Sequence, residues 1–216
     1  MRWIFLVTAI VAAVSLILWL IVAVVNLSHW LSGGQTNWYE VYYTIDVKSP
    51  TYHGELGWAV VGVGPRGNYT IINLKAEHTQ VVVYSVIEGK NVYTTACINT
   101  ICTKTTIKID LIPFGAREVG TCRHLGREGK LYSVTELPDI FNIIKLPDIS
   151  SNIIREASIT ALMCIHGDML LWYTVDMNLL TIGKKVTSMK FSMNATRIGP
   201  YNETRYKEIL TKAKQS

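Results

Sequence analysis

The sequence predicts a mainly β (α+β) chain: an N-terminal transmembrane helix, then an exported antiparallel sheet with a short helical insertion and a C-terminal helix. Three observations predict it. Residues 3–25 run for 23 positions without a charge. From residue 39 onward, apolar and polar residues alternate in one segment after another. From residue 201 the apolar spacing changes to that of a helix. The mean hydropathy of +0.24 is high because of the first run, and with 49% hydrophobic and 17% charged residues the remainder has an ordinary globular composition.

At 1.5 Å per residue, residues 3–25 as a helix reach about 35 Å, enough for a hydrocarbon core of about 30 Å. The run is longer than the apolar core of a secretory signal, and its exit, Asn26-Leu27-Ser28-His29-Trp30, has no small-x-small cleavage site. We read it as an uncleaved signal anchor; cleavage after Ala23 is the alternative. Arg2 lies on one side, and no Lys or Arg occurs on the other before Lys48. The positive-inside rule therefore places residues 1–2 in the cytoplasm and everything from residue 26 outside, a single-pass protein of the cell membrane. No second uncharged run of comparable length exists, which excludes a multispan transporter. Residues 26–38 form a linker. Its Trp30 and Trp38, with Tyr39, suit the outer interface, although Trp38 and Tyr39 suit strand packing equally.

Export agrees with two further features. Asn26, Asn68, Asn194 and Asn202 each begin an acceptor sequon, the last three lying within the exported domain. Four cysteines, an even number, suit an oxidising compartment.

The domain spans residues 39–216. In residues 39–48, Tyr39, Val41, Tyr43, Ile45 and Val47 share one face, and Glu40, Tyr42, Thr44, Asp46 and Lys48 the other. Further strands are expected at 54–63, 69–76, 80–87, 92–98 and 101–110. In the hairpin Cys97-Ile98-Asn99-Thr100-Ile101-Cys102, a two-residue turn at Asn99-Thr100 sets Cys97 opposite Cys102 in a non-hydrogen-bonded pair, where a disulfide fits. Cys122 with Cys164 would close a much longer loop; four reduced thiols are the alternative. Strands follow at 119–123 and 130–136. Two Pro-Asp pairs then punctuate residues 138–157, read as short helices or a lid that includes Ile143 and Ile144. The last strands are expected at 158–165, 169–178 and 184–197. In the last, Met189, Phe191, Met193 and Ala195 face inward and Ser188, Lys190, Ser192 and Asn194 outward. Residues 201–214 form the terminal helix, with Asn202 as N-cap and Tyr206, Ile209, Leu210 and Ala213 as its apolar stripe.

Motifs with chemistry are scarce. Residues 62–67 fit the G-x-G-x-x-G string, but a strand follows instead of the helix a pyrophosphate site needs, so they read as a hairpin loop. Five scattered histidines show no metal-ligand spacing, and no G-x-S-x-G occurs. No catalytic residue, metal or cofactor is therefore expected, and the chain reads as a non-enzyme. The excess of 21 basic over 16 acidic residues is too small to imply nucleic acid. Five of the six methionines fall in the last three strands, where flexible thioethers suit an adaptable apolar cavity or an ordinary core.

The segment G-T-x-x-x-x-G-R-E-G-K-x-Y (residues 120–132), the sequence His166-Gly167-Asp168 followed by Leu170-Leu171-Trp172-Tyr173, and a strand ending Asn194-Ala-Thr-Arg-Ile198 come in order. This layout resembles the lipoprotein-carrier superfamily of LolA and LppX, particularly membrane-anchored members of archaeal type. The resemblance implies a strongly curved, unclosed antiparallel half-barrel whose concave face holds acyl chains, with residues 138–157 as its lid. No amphipathic helix fits between Ser32 and Trp38, which leaves that side open or covered by the membrane.

The expected function is a membrane-anchored extracytoplasmic binding module for lipid or another apolar ligand. Met189, Phe191, Met193 and Trp172 would line its site, and Ile143 and Ile144 would close it. The alternative is a structural or interaction protein of the cell envelope without a ligand cavity.

Overall fold

The computed structural model describes residues 38–50, 53–76, 79–89, 91–108, 115–136, 154–181 and 186–214. The expected anchor, most of the linker, Asn26, Ile143 and Ile144 lie outside the described residues. Among the described residues no helix is long and apolar enough to cross a membrane.

Among the described residues eleven strands form one antiparallel sheet. They are β1 (Tyr39–Lys48), β2 (His53–Val63), β3 (Asn68–Ala76), β4 (Thr79–Glu88), β5 (Asn91–Ile98), β6 (Ile101–Lys108), β7 (Gly115–His124), β8 (Arg127–Glu136), β9 (Ile154–His166), β10 (Met169–Thr181) and β11 (Val186–Gly199). The spatial order is β6-β5-β4-β3-β2-β1-β11-β10-β9-β8-β7. Two meanders, β1–β6 and β7–β11, thus meet where β1 pairs with β11. The expected strands are all present, several with longer ends where a neighbour extends the ladder; positions 109, 110, 184 and 185 of two of them lie outside the described residues. Residues 154–157, expected in the insertion, belong to β9, because Ala157 and Glu156 continue its pairing with Leu179 and Leu180 of β10.

Laid flat, the sheet would spread about 48 Å at about 4.8 Å per strand. Yet Lys108, ending β6, and Gly115, opening β7, are joined by seven peptide steps, which reach at most about 25 Å. The sheet must therefore curl until its two edges approach. It stays unclosed, since among the described residues no ladder joins β6 to β7.

Alternation sorts the side chains onto two faces. The inner face carries Val41, Ile45, Ile72, Val83, Ala161, Met163 and Val175, each at 0% exposure, with Leu74, Phe191 and Met193 beside them. Helix α1 (Glu203–Lys214) packs on the outer face through Tyr206, Ile209 and Ala213 against Val60, Tyr69 and Val86. Asn202 Oδ1 accepts from the Arg205 backbone N–H at 2.9 Å, the cap the sequence predicts. A hairpin loop replaces any nucleotide site at residues 62–67. A Cβ at Gly62 would come within 2.3 Å of the Tyr69 ring, and one at Gly64 within 2.4 Å of the Tyr201 ring, so these glycines make room for tyrosines.

Polar contacts fix α1 in place. Arg205 and the Tyr69 hydroxyl both donate to the buried carboxylate of Glu40, and Arg205 donates to Tyr42 Oη at 2.7 Å. At the other end, Lys214 pairs with Glu88, whose pKa is held down first by that bond and then by the Tyr206 hydroxyl. The lysines of the last turn also lie over tyrosine rings, Lys212 over Tyr84 at 4.7 Å and Lys214 over Tyr93 at 4.3 Å.

Both disulfides form as the sequence suggests. Cys97 and Cys102 sit opposite each other beyond the Asn99-Thr100 turn, with Cα atoms 4.0 Å apart. Cys122 of β7 reaches Cys164 of β9, with Cα atoms 5.9 Å apart although β8 lies between them in the sheet. The hairpin end of β7 and β8 therefore leaves the sheet plane. Register puts Cys164 on the same face as Leu131, Trp172 and Asn194, which is the outer one. The hairpin end accordingly folds over the outer face of β9, β10 and β11. There His124 Nε2 lies 2.6 Å from the Ala195 carbonyl oxygen, and His166 Nδ1 lies 2.6 Å from that of Glu128.

Candidate functional site

The residues expected to line a cradle come together only in part. In β11, Met189, Phe191 and Met193 all face inward, Phe191 and Met193 buried and Met189 half-buried. Phe191 lies between Val47 and Val175, and Met193 between Ile45 and Tyr173, so one row of apolar side chains crosses three strands. Met177 lies opposite Met189, and Met163 opposite Tyr173, which extends the row into a wall. Trp172 is corrected to the outer face, half-buried. It pairs with Asn194 and Cys164, and the inward position next to it belongs to Tyr173.

A polar set at one end of this face was not anticipated. Tyr39 Oη donates to the Asp168 carbonyl oxygen at 2.7 Å, and Tyr43 Oη donates to that of Leu170 at 2.8 Å. Both phenols reach from β1 across β11 to the start of β10. The buried Tyr173 Oη and Asp168 Oδ2 have no hydrogen-bond partner among the described residues. Burial pushes the pKa values of Tyr39, Tyr43 and Tyr173 up and is the main cause of the rise at Asp168. These groups are therefore neutral phenols in an apolar wall, with a carboxyl group whose charge is disfavoured. The sequence offered a partial signal, Tyr39 and Tyr43 on the apolar face of the first strand, where a buried phenol needs a partner; Tyr173 gave none, because the expected parity sets Trp172 inward in its place.

Such a wall can hold a hydrocarbon chain by contact and orient a hydroxyl or carbonyl group by hydrogen bonding. Among the described residues no three His, Cys, Asp or Glu side chains group as metal ligands do. The three sequon asparagines of the domain are placed as follows. Asn68 opens β3, its Oδ1 3.4 Å from the Gly64 N–H; Asn194 is half-buried on the outer face; and Asn202 caps α1.

No protein-family model matches the sequence, and no curated protein matches it. Two solved structures are loosely similar. The ywiB protein from Bacillus subtilis has 6% identity and a TM-score of 0.24, the match covering 74% of this chain and 92% of that one. The LolA superfamily protein NE2245 from Nitrosomonas europaea has 6% identity and a TM-score of 0.25, covering 83% of this chain and 93% of that one. The second of these belongs to the superfamily whose layout the sequence resembles.

Proposed function

We propose that the chain is a non-catalytic binding module that holds a lipid or another apolar ligand against the inner face of its sheet, tethered by residues 3–25 to the outside of a membrane. One observation carries the reading: the inner face is a continuous apolar wall in a curled, unclosed sheet, and neither α1 nor the β7–β8 hairpin end covers it. Both pack on the outer face. The unpartnered Tyr173 hydroxyl adds a group that can orient an amphipathic ligand.

The alternative, a structural envelope protein, is favoured by the complete burial of Val41, Ile45 and Met163, as in a filled core. Phe191→Glu separates the two. In a filled core an unpaired charge costs several kcal/mol and unfolds the domain. In a cradle the carboxylate reaches water, so the variant folds but loses apolar ligand. The full chain and the variant are purified side by side in the same detergent, and their organic extracts are compared. Lipid in excess in the wild type, with a folded and depleted variant, is the expected result. Equal extracts with an unfolded variant leave the structural reading in place.

A further inference from the structure

We infer that the ligand of the inner face is an uncharged acyl ester lipid of the glyceride kind, whose ester carbonyl accepts a hydrogen bond from Tyr173 Oη; this rests on the inner-face reading above. Three inward tyrosines meet at β10, and their hydroxyls are treated differently. Tyr39 and Tyr43 donate to main-chain carbonyl oxygens, that of Asp168 at 2.7 Å and that of Leu170 at 2.8 Å. Both acceptors lie where pairing is irregular, in the β9–β10 turn and beside the register shift between Leu170 and Trp172. Tyr173 stands in unbroken ladder, opposite Met193 on one side and Met163 on the other, where the main-chain groups are engaged with one another. Its side chain is 3% exposed, and its hydroxyl has no partner among the described residues. A buried hydroxyl in that position is costly until something brings it an acceptor.

The surroundings select the class of acceptor. Across β1, β11, β10, β9 and β8 the row through Tyr173 reads Ile45, Met193, Tyr173, Met163, Tyr132, and the next row, from Val47 to Val134, is uncharged as well. On the other side Lys130 stands opposite Ile165, and its charge is already met by Glu118 at 2.9 Å. A phosphate or carboxylate beside Tyr173 would therefore be a charge without a counter-ion in an apolar wall. Asp168, whose Oδ2 also lacks a partner, adds a carboxyl group and no positive charge. An ester carbonyl is an acceptor like those that Tyr39 and Tyr43 use. It needs no counter-ion, and it comes attached to a hydrocarbon chain that suits the rest of the wall. Met163 and Met193 flank the phenol, and flexible thioethers can shift to admit such a chain.

The test immobilises the full chain in detergent and equilibrates it with one of three radiolabelled lipids at equal lipid-to-detergent ratio. Dioleoylglycerol carries the esters. Its diether analogue has the same chains and free hydroxyl but no carbonyl, and dioleoyl phosphatidate keeps the esters and adds the charge. The wild type should bind the diester about tenfold more tightly than either of the others. Tyr173→Phe keeps the ring and removes only the unpartnered oxygen. It should bind diester and diether alike, at the wild-type affinity for the diether. Equal binding of diester and diether by the wild type would overturn the inference. So would phosphatidate bound as tightly as the diester, or an ester preference that survives in Tyr173→Phe. In each of those cases loss of the lipid in Phe191→Glu would leave the inner-face reading standing. A wild type that binds none of the three would overturn both.

Discussion

Burying a carboxylate as fully as Glu40, at 3% exposure, is costly unless it is paired, and here Tyr69 and Arg205 both donate to it. Arg205 keeps part of its side chain in water, which tempers the pair's strength. Arg205→Met should destabilise the domain by about 2–3 kcal/mol, because it leaves the charge with a single donor. Adding Glu40→Gln should recover about half of that loss. Guanidinium unfolding of both variants checks this, and a double variant weaker than Arg205→Met alone would refute the pairing as the cause. Little of this was legible in the sequence. Alternation put Glu40 on the polar face of its strand, but the partner lies 165 positions away, and no local pattern announces it. The same holds for Trp172: its neighbour Tyr173 takes the inward place, a parity fixed by the ladder with β11.

Elements with local causes were legible. The β5–β6 hairpin follows from its two-residue turn, and α1 from its cap and apolar stripe; both stand where the sequence puts them. Long-range packing was not. Nothing in residues 201–214 says which face of the sheet they cover, and nothing in residues 120–132 says that the hairpin end folds out of plane. That fold depends on a disulfide and a histidine contact made through space. The two disulfides should differ in worth. Cys97–Cys102 has a sequence separation of 5 and Cys122–Cys164 one of 42. Chain entropy assigns them about 2 and about 4 kcal/mol. Paired Cys→Ser variants should show that order in thermal unfolding. Only loss of the longer bridge should also raise amide exchange in residues 122–129, since of the two bridges it is the one that ties the hairpin end to β9. The reverse order would mean that the native-state geometry outweighs the loop term.

For the whole molecule, the two-meander sheet was legible as a run of alternating segments, but the pairing of β1 with β11 was not. That pairing and the short link between β6 and β7 make the sheet curl. Orientation is testable at this scale: a tag after Ser216 should be cleaved by external protease while the chain resists extraction by carbonate. A trimmed, soluble product would show that residues 3–25 are a cleaved signal. The meeting of the two meanders also bears on how the molecule comes to be made. β1 finds β2 within moments of synthesis, but its other neighbour is completed only about 150 residues later, and contacts of such separation close slowly. Until then a six-strand half waits with the hydrogen-bonding groups of β1 unmet, an open template for any extended chain nearby. The halves touch in sequence only at the link between β6 and β7. Severed there, they form a natural pair for complementation, in which the second fragment supplies the strand that the first has been holding open.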